Sequence, residues 1–109
     1  MKRNVIATRL MLTVSFAMAA GSAAAQDFGR AKSGQALATQ VCAQCHAVES
    51  GLLRSPNAEA PRFEAIAKLP GMTSIALNAA LQTSHRSMPN VILEADARSD
   101  IVAYILSLK

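Results

Sequence analysis

Two cysteines and a histidine stand within five consecutive residues, Cys42-Ala43-Gln44-Cys45-His46, and this stretch constrains the chain more than any other. The spacing Cys-x-x-Cys-His is the attachment motif for covalent c-type haem. Residues i and i+3 lie on the same side of a helix or tight turn, so both thiols can reach the two vinyl groups of one porphyrin. The adjacent imidazole can then ligate the iron as its proximal ligand. The motif therefore predicts one covalently bound haem c.

Three other uses of these side chains are weaker. A disulfide between Cys42 and Cys45 would close a very small loop and contribute little stability. A thioredoxin-like dithiol needs a βαβ context, and no β-rich run surrounds the motif. A zinc site needs two more strong ligands, but the sequence has only two cysteines and two histidines, the second histidine being His85.

The beginning of the chain has the pattern of a secretory signal peptide. Basic residues precede an apolar run over residues 10–20, and residues 23–25 are alanines that fit an A-x-A cleavage site. We therefore predict that residues 1–25 are a cleaved leader and that residues 26–109 form one domain in the periplasm. The alternative is an uncleaved membrane anchor, but the uncharged run is at the short limit for a span and its second half is rich in Ala, Gly and Ser. The basic residues are Lys2, Arg3 and Arg9.

Removal of the leader changes the charge of the chain. The full sequence carries a formal net charge of +4, from 11 basic and 7 acidic residues. Three basic residues lie in the predicted leader, so 8 basic and 7 acidic residues remain and the mature domain has a net charge of +1. No basic cluster is left that would indicate binding to nucleic acid or to a membrane surface.

Apolar periodicity predicts an all-α domain of about four helices joined by long loops. The first helix covers about residues 30–45 and brings both cysteines to its buried face. Gly34 costs this helix stability, which indicates that another helix crosses there at close range. Turn-forming residues follow, and then helices at about residues 62–69, 74–83 and 95–108. Thr73 is the predicted N-cap of the third helix, whose predicted buried side comprises Ile75, Ala76 or Leu77, Ala79, Ala80 and Leu81.

The haem iron has a second axial position, for which the mature chain offers Met72, Met88 and His85. Met88 is the preferred distal ligand because it lies in a loop and is followed by Pro89, which fixes the backbone and lacks an amide donor. A thioether is a soft ligand that favours ferrous iron and raises the reduction potential. His85 would give a lower potential, and its alternative role is that of a surface histidine.

The chain resembles a small bacterial class I cytochrome c over essentially all of residues 26–109. The resemblance is carried by Cys42-x-x-Cys45-His46, by the Met88-Pro89 loop and by Ala103-Tyr104 near the end of the chain. It implies the small cytochrome c fold wrapped around one covalently attached haem. It also implies that the iron has His46 and Met88 as its axial ligands.

Three further positions belong to this resemblance. Gly34 resembles the family glycine that touches the last helix near an aromatic residue, here Tyr104. Pro61 resembles the proline that packs by the proximal histidine, and the backbone before it typically supplies the carbonyl that orients the ring. We therefore expect Pro61 and Tyr104 to contribute to the cofactor site. Ala38 departs from the family, which has an aromatic residue there, so the contact between the terminal helices should be less bulky.

The expected function is one-electron transfer by a soluble periplasmic carrier and not enzymatic catalysis. Its partners would be redox proteins, with no nucleic acid and no stable membrane insertion after leader cleavage. These partners would dock at the rim of the haem edge, where Arg86, Ser87 and Asn90 flank the Met88 loop. Two alternatives remain open at this point: a haem subunit of an exported dehydrogenase of sulfite, an alcohol or an aldehyde, or a haem peroxidase or gas sensor.

Overall fold

The described part of the chain is all-helical, as the sequence predicts. The computed structural model describes residues 22–83, 85 and 87–109, with side chains from residue 30 onward. Within these residues there are four helices and no strand: α1 (Ser22–Val41), α2 (Phe63–Ala67), α3 (Ser74–Gln82) and α4 (Ala95–Leu106). None of the helices in these residues has the length and hydropathy needed to cross a membrane.

Most of the predicted leader, residues 1–21, lies outside the described residues, as does Arg86 of the predicted partner surface. The predicted cleavage point after Ala25 falls within α1, which begins at Ser22. The leader and its cleavage therefore stay predictions.

The first helix ends earlier than its apolar pattern predicts. The carbonyl of Ala38 accepts hydrogen bonds from the amides of both Cys42 and Ala43, at 2.8 and 3.0 Å. The second of these bonds spans five residues, a pattern that closes helices at their C-termini. The prediction of a helix through residue 45 is thus wrong, and the cysteines lie in the turn after α1 because the backbone tightens there while the apolar period continues.

The core lies where α1 crosses α4. A β-carbon on Gly34 would overlap the backbone oxygen of Asp100 and would lie 2.8 Å from Cβ of Tyr104, so the predicted close crossing is confirmed. Ala38 is fully buried at the same interface, beside Ile101. Two small residues of α1 therefore let α4 approach closely, and the aromatic and aliphatic side chains of α4 fill the space around them.

The third helix has the predicted N-cap, but fewer of its residues are buried than the sequence predicts. Thr73 accepts a hydrogen bond from the amide of Ala76 at 3.2 Å, and Leu77 is buried against α4. The other half of the predicted buried side is exposed, with Ile75 80% accessible. The helix is apolar on two sides and only one of them packs on α4. Periodicity alone therefore does not indicate which apolar side is buried. The exposed residues are Ile75, Ala76, Ala79 and Ala80.

Helices α2 and α4 are also shorter than predicted, because turns of the chain replace their last residues. The segment 62–69 contains only five helical residues, Phe63–Ala67, and Gly71 with φ of +74° reverses the chain after Pro70. The last helix ends at Leu106, where the amide of Ser107 donates to the carbonyls of Ala103 and Tyr104.

Candidate functional site

The two cysteines and the histidine are presented by a tight turn that follows α1. The amides of Cys45 and His46 both donate to the carbonyl of Cys42, at 3.1 and 2.9 Å. Both thiols are free and half-buried, and burial raises the pKa of the Cys42 thiol. The turn therefore holds two thiols and an imidazole on one short, hydrogen-bonded piece of backbone, as attachment of one porphyrin requires.

The imidazole of His46 is fixed in direction by a backbone carbonyl. Its Nδ1 lies 2.7 Å from the oxygen of Pro61, and a carbonyl can only accept, so Nδ1 carries the proton and Nε2 is the free nitrogen. Metal-ligating histidines use this arrangement to set ring orientation and basicity. The carbonyl belongs to Pro61 itself, whereas the family resemblance places it in the backbone before Pro61.

An aromatic ring supports the other side of this imidazole. The ring of Phe63 is buried, and its centroid is 5.3 Å from that of His46 at an angle of 49°. The amide of Phe63 donates to the carbonyl of Ala47 at 2.9 Å, which closes the loop between the histidine and α2. The residues that follow Pro61 in sequence thus pack against the histidine that its carbonyl orients.

Ser55 and Asn57, which the sequence indicates only as turn residues, hold the same loop. The hydroxyl of Ser55 accepts from the amide of Ala47 at 3.0 Å. The amide of Asn57 donates to the carbonyl of Cys45 at 3.1 Å. Their sequence, Ser-Pro-Asn, marks a turn without indicating its partner, so only the three-dimensional path of the loop identifies the contact.

Tyr104 links α4 to the backbone just after the histidine. Its hydroxyl donates to the carbonyl of Val48 at 2.8 Å, and its ring is 6.5 Å from that of Phe63. Burial first, and then the negative charge of Glu49, raise the pKa of this hydroxyl, so it stays protonated and can donate. The described contacts of Tyr104 reach the cofactor turn through Phe63 and Val48, and its direct contact with cofactor stays a prediction.

Replacing Tyr104 by phenylalanine is expected to lower the free energy of unfolding by about 1–3 kcal/mol, because the buried carbonyl of Val48 loses its donor. Urea unfolding of the holoprotein measures this. Thr39→Val is the matched control, since it removes a hydroxyl that donates to the carbonyl of Gln35 on the exposed face of α1. It should change the free energy of unfolding by less than about 0.5 kcal/mol. Equal stability of Tyr104→Phe and wild type would contradict the assigned role of the hydroxyl.

The three candidates for the second axial position differ in their surroundings. Met72 packs against the core cluster. Met88 is half-buried in the loop after α3, and its amide donates to the carbonyl of His85 at 3.2 Å. His85 is exposed, and its Nδ1 faces the carbonyl of Thr83 at 3.0 Å. Met88 and His85 both line one open concavity, and Met72 is not among its lining residues.

The lining of this concavity includes both apolar and polar residues. Ala80 and Leu81 of α3 line it together with Pro89 and Val91, and its polar residues are Thr83, His85 and Asn90. Apolar side chains beside a loop that carries a thioether are the kinds of group that a haem site uses.

Of the predicted partner-surface residues, Ser87 and Asn90 are described and both are exposed. The hydroxyl of Ser87 donates to Oε2 of Glu59 at 3.0 Å. The loop that carries Met88 therefore contacts the loop that follows the Cys-x-x-Cys-His turn.

Comparison with known proteins identifies related sequences. The family model described as cytochrome c matches residues 31–109. A cytochrome c-552 of Bradyrhizobium diazoefficiens is 35% identical over 100 residues, which cover 92% of this chain and 92% of that protein. No solved structure matches.

Proposed function

The chain belongs to the cytochrome c family, and from this premise we propose that it is a soluble periplasmic carrier of single electrons whose haem iron is bound by His46 and Met88. Membership in the family means that the chain carries covalently bound haem c and acts in electron transfer with redox partner proteins. We assign the two thioether bonds to Cys42 and Cys45, the two cysteines of the chain.

The observation that carries the proposal is the hydrogen bond between Nδ1 of His46 and the carbonyl of Pro61. It places the proton on Nδ1 and leaves Nε2 available as a neutral ligand. A surface histidine has no need of a buried aromatic neighbour, whereas this imidazole is braced by Phe63. An imidazole held in one direction beside two half-buried thiols has the geometry of a proximal ligand.

Met88 is the distal ligand in this proposal. It is half-buried and lines the concavity together with Ala80 and Leu81 of α3, whereas His85 is exposed and bonds a local carbonyl. Its thioether is soft and would raise the reduction potential. The Met72 side chain is used in the core.

When bound, the haem supplies the one-electron couple of its iron. The chain would contribute the direction of the His46 ring, the thioether of Met88 and the apolar residues Ala80 and Leu81 that line the concavity with it. With His46 and Met88 bound in both oxidation states, little rearrangement would accompany each electron. Export to the periplasm rests on the leader pattern of residues 1–25, whose composition fits a cleaved signal peptide.

The first experiment compares optical spectra of the holoprotein with those of a Met88→Ala variant. We expect a low-spin wild type whose ferric form has the weak red charge-transfer band of iron–methionine ligation. Met88→Ala should lose this band completely, have a lower reduction potential and bind carbon monoxide readily, because its sixth position is open.

Two variants serve as controls. Met72→Leu conserves the volume of a core side chain and should keep the red band, as should His85→Ala. A high-spin wild type that binds carbon monoxide would overturn the proposal in favour of a peroxidase or sensor. A low-spin wild type without the red band, whose low-spin spectrum is lost in His85→Ala and kept in Met88→Ala, would identify His85 as the ligand.

A further inference from the structure

A single arginine links the helix that precedes the loop of Met88 to the last residues of that loop. This loop connects α3, which ends at Gln82, to α4, which begins at Ala95. Nε of Arg98 donates to Oδ1 of Asn78 at 2.9 Å, and Nη1 donates to the carbonyl of Leu93 at 3.0 Å. Asn78 precedes the loop and Leu93 stands near its end, so one guanidinium closes the base of the loop.

The surroundings of Arg98 distinguish it from an ordinary surface cation. Both of its hydrogen bonds are partly buried, and both acceptors are uncharged oxygens. Hydrogen bonds from a charged donor to such partners are stronger than those between neutral groups. The guanidinium is planar, so its two donors fix two acceptors in direction as well as in distance.

From this geometry we infer that Arg98 is a positioning residue for Met88, an inference that rests on the proposed ligation by that methionine. The thioether can stay on the iron only while its loop keeps its path, and a loop with free ends has more conformations to lose. Arg98 removes that freedom at the base of the loop. At its tip, the loop is held separately by the bond between Ser87 and Glu59.

The consequence appears in competition between Met88 and an external ligand. Imidazole can bind the ferric iron only in molecules in which Met88 has left, so its apparent affinity is proportional to that open fraction. Loss of the guanidinium should raise the open fraction. We expect Arg98→Met, which keeps the apolar stem and removes both donors, to bind imidazole about tenfold more tightly than wild type.

Two milder variants test the same contacts. Asn78→Ala removes one of the two acceptors and should increase imidazole affinity about threefold. Arg98→Lys keeps the charge but loses the planar fork, and it should lie between wild type and Arg98→Met. Asn78→Ala combined with Arg98→Met should add little to Arg98→Met alone, because the two residues act through one hydrogen bond.

The control for general loss of stability is Thr73→Ala. This change removes the N-cap at the opposite end of α3, so it should destabilise the protein and leave imidazole affinity and the red band unchanged. Equal increases in imidazole affinity for Thr73→Ala and Arg98→Met would overturn the inference, because stability alone would explain them. Unchanged affinity in all three variants of Asn78 and Arg98 would also overturn it. A wild type without the red band would instead mean that the proposed Met88 ligation itself is wrong.

Discussion

Alanine at position 34 is expected to lower the free energy of unfolding of the holoprotein by about 3 kcal/mol, at the upper end of typical overpacking costs. The added β-carbon would overlap the backbone oxygen of Asp100 and crowd Cβ of Tyr104. A backbone oxygen within a helix cannot turn aside as a side chain can, so α4 as a whole must shift. Alanine is favoured over glycine in a helix by about 1 kcal/mol, which is too little to offset the shift.

The effect should be large on the scale of such a domain, since total stabilities are roughly 5–15 kcal/mol. Unfolding of Gly34→Ala in guanidinium chloride, followed by helical circular dichroism, measures it. Ala36→Val is the matched control because it adds carbon atoms to an exposed position of the same helix and should cost less than about 1 kcal/mol. If Gly34→Ala is as stable as Ala36→Val, the close crossing of α1 and α4 is not a determinant of stability.

The crossing itself was accessible from sequence because a glycine within an apolar helical pattern is costly and implies a compensating contact. Local patterns also predicted the N-cap at Thr73, where a short polar side chain precedes an apolar run. Both features are indicated by a local pattern, although the crossing partner of Gly34, at Asp100 and Tyr104, is distant in the sequence. The structure accordingly confirms the helix content and the cap, while helix ends differ from the predictions by several residues.

Contacts between distant residues were not accessible in the same way. Arg98 bonds Asn78 and Leu93, and its sequence context in the last helix indicates only an ordinary basic residue. The sequence likewise identifies Ser55 only as a turn residue, and the structure shows that its hydroxyl accepts a hydrogen bond from the amide of Ala47. Their roles depend on the path of long loops, which no local period encodes.

The third helix shows a second limit of prediction from sequence, which concerns the side of a helix that is buried. Its sequence is apolar on two sides, and the polypeptide core covers only the side that contains Leu77. The other side, with Ile75 80% exposed, is not covered by any of the described residues. A cofactor surface and a protein core have the same apolar pattern, so sequence periodicity cannot separate them.

The second large expected effect is the loss of covalent haem and of cooperative folding when the two cysteines are replaced. Replacing both Cys42 and Cys45 by alanine should abolish covalent haem attachment and leave the chain largely unfolded or molten. In the proposed attachment the motif supplies both thioether bonds, and the sequence contains no further cysteine to replace them. Haem staining after denaturing electrophoresis should fall from full to undetectable, and the cooperative unfolding transition should be lost.

The polypeptide core explains why the fold should depend on the haem. Among the described residues ten hydrophobic side chains are buried, and three of them are alanines. Three large aliphatic side chains are at least 80% exposed, which is unfavourable for a domain that buries so little. These three residues are Leu53, Ile75 and Ile92. Small domains with such cores generally need a disulfide, a metal or another covalent or ligand constraint.

The matched control is Gln44→Ala, which changes an exposed residue between the two cysteines and leaves both thiols in place. It should keep covalent haem and a cooperative transition, because the turn is held by backbone hydrogen bonds to Cys42. The informative contrary outcome is a double cysteine variant that lacks haem and still unfolds cooperatively with native helix content. The buried residues of α1 and α4 would then suffice for folding, and the exposed apolar side of α3 would have to be assigned to a different contact.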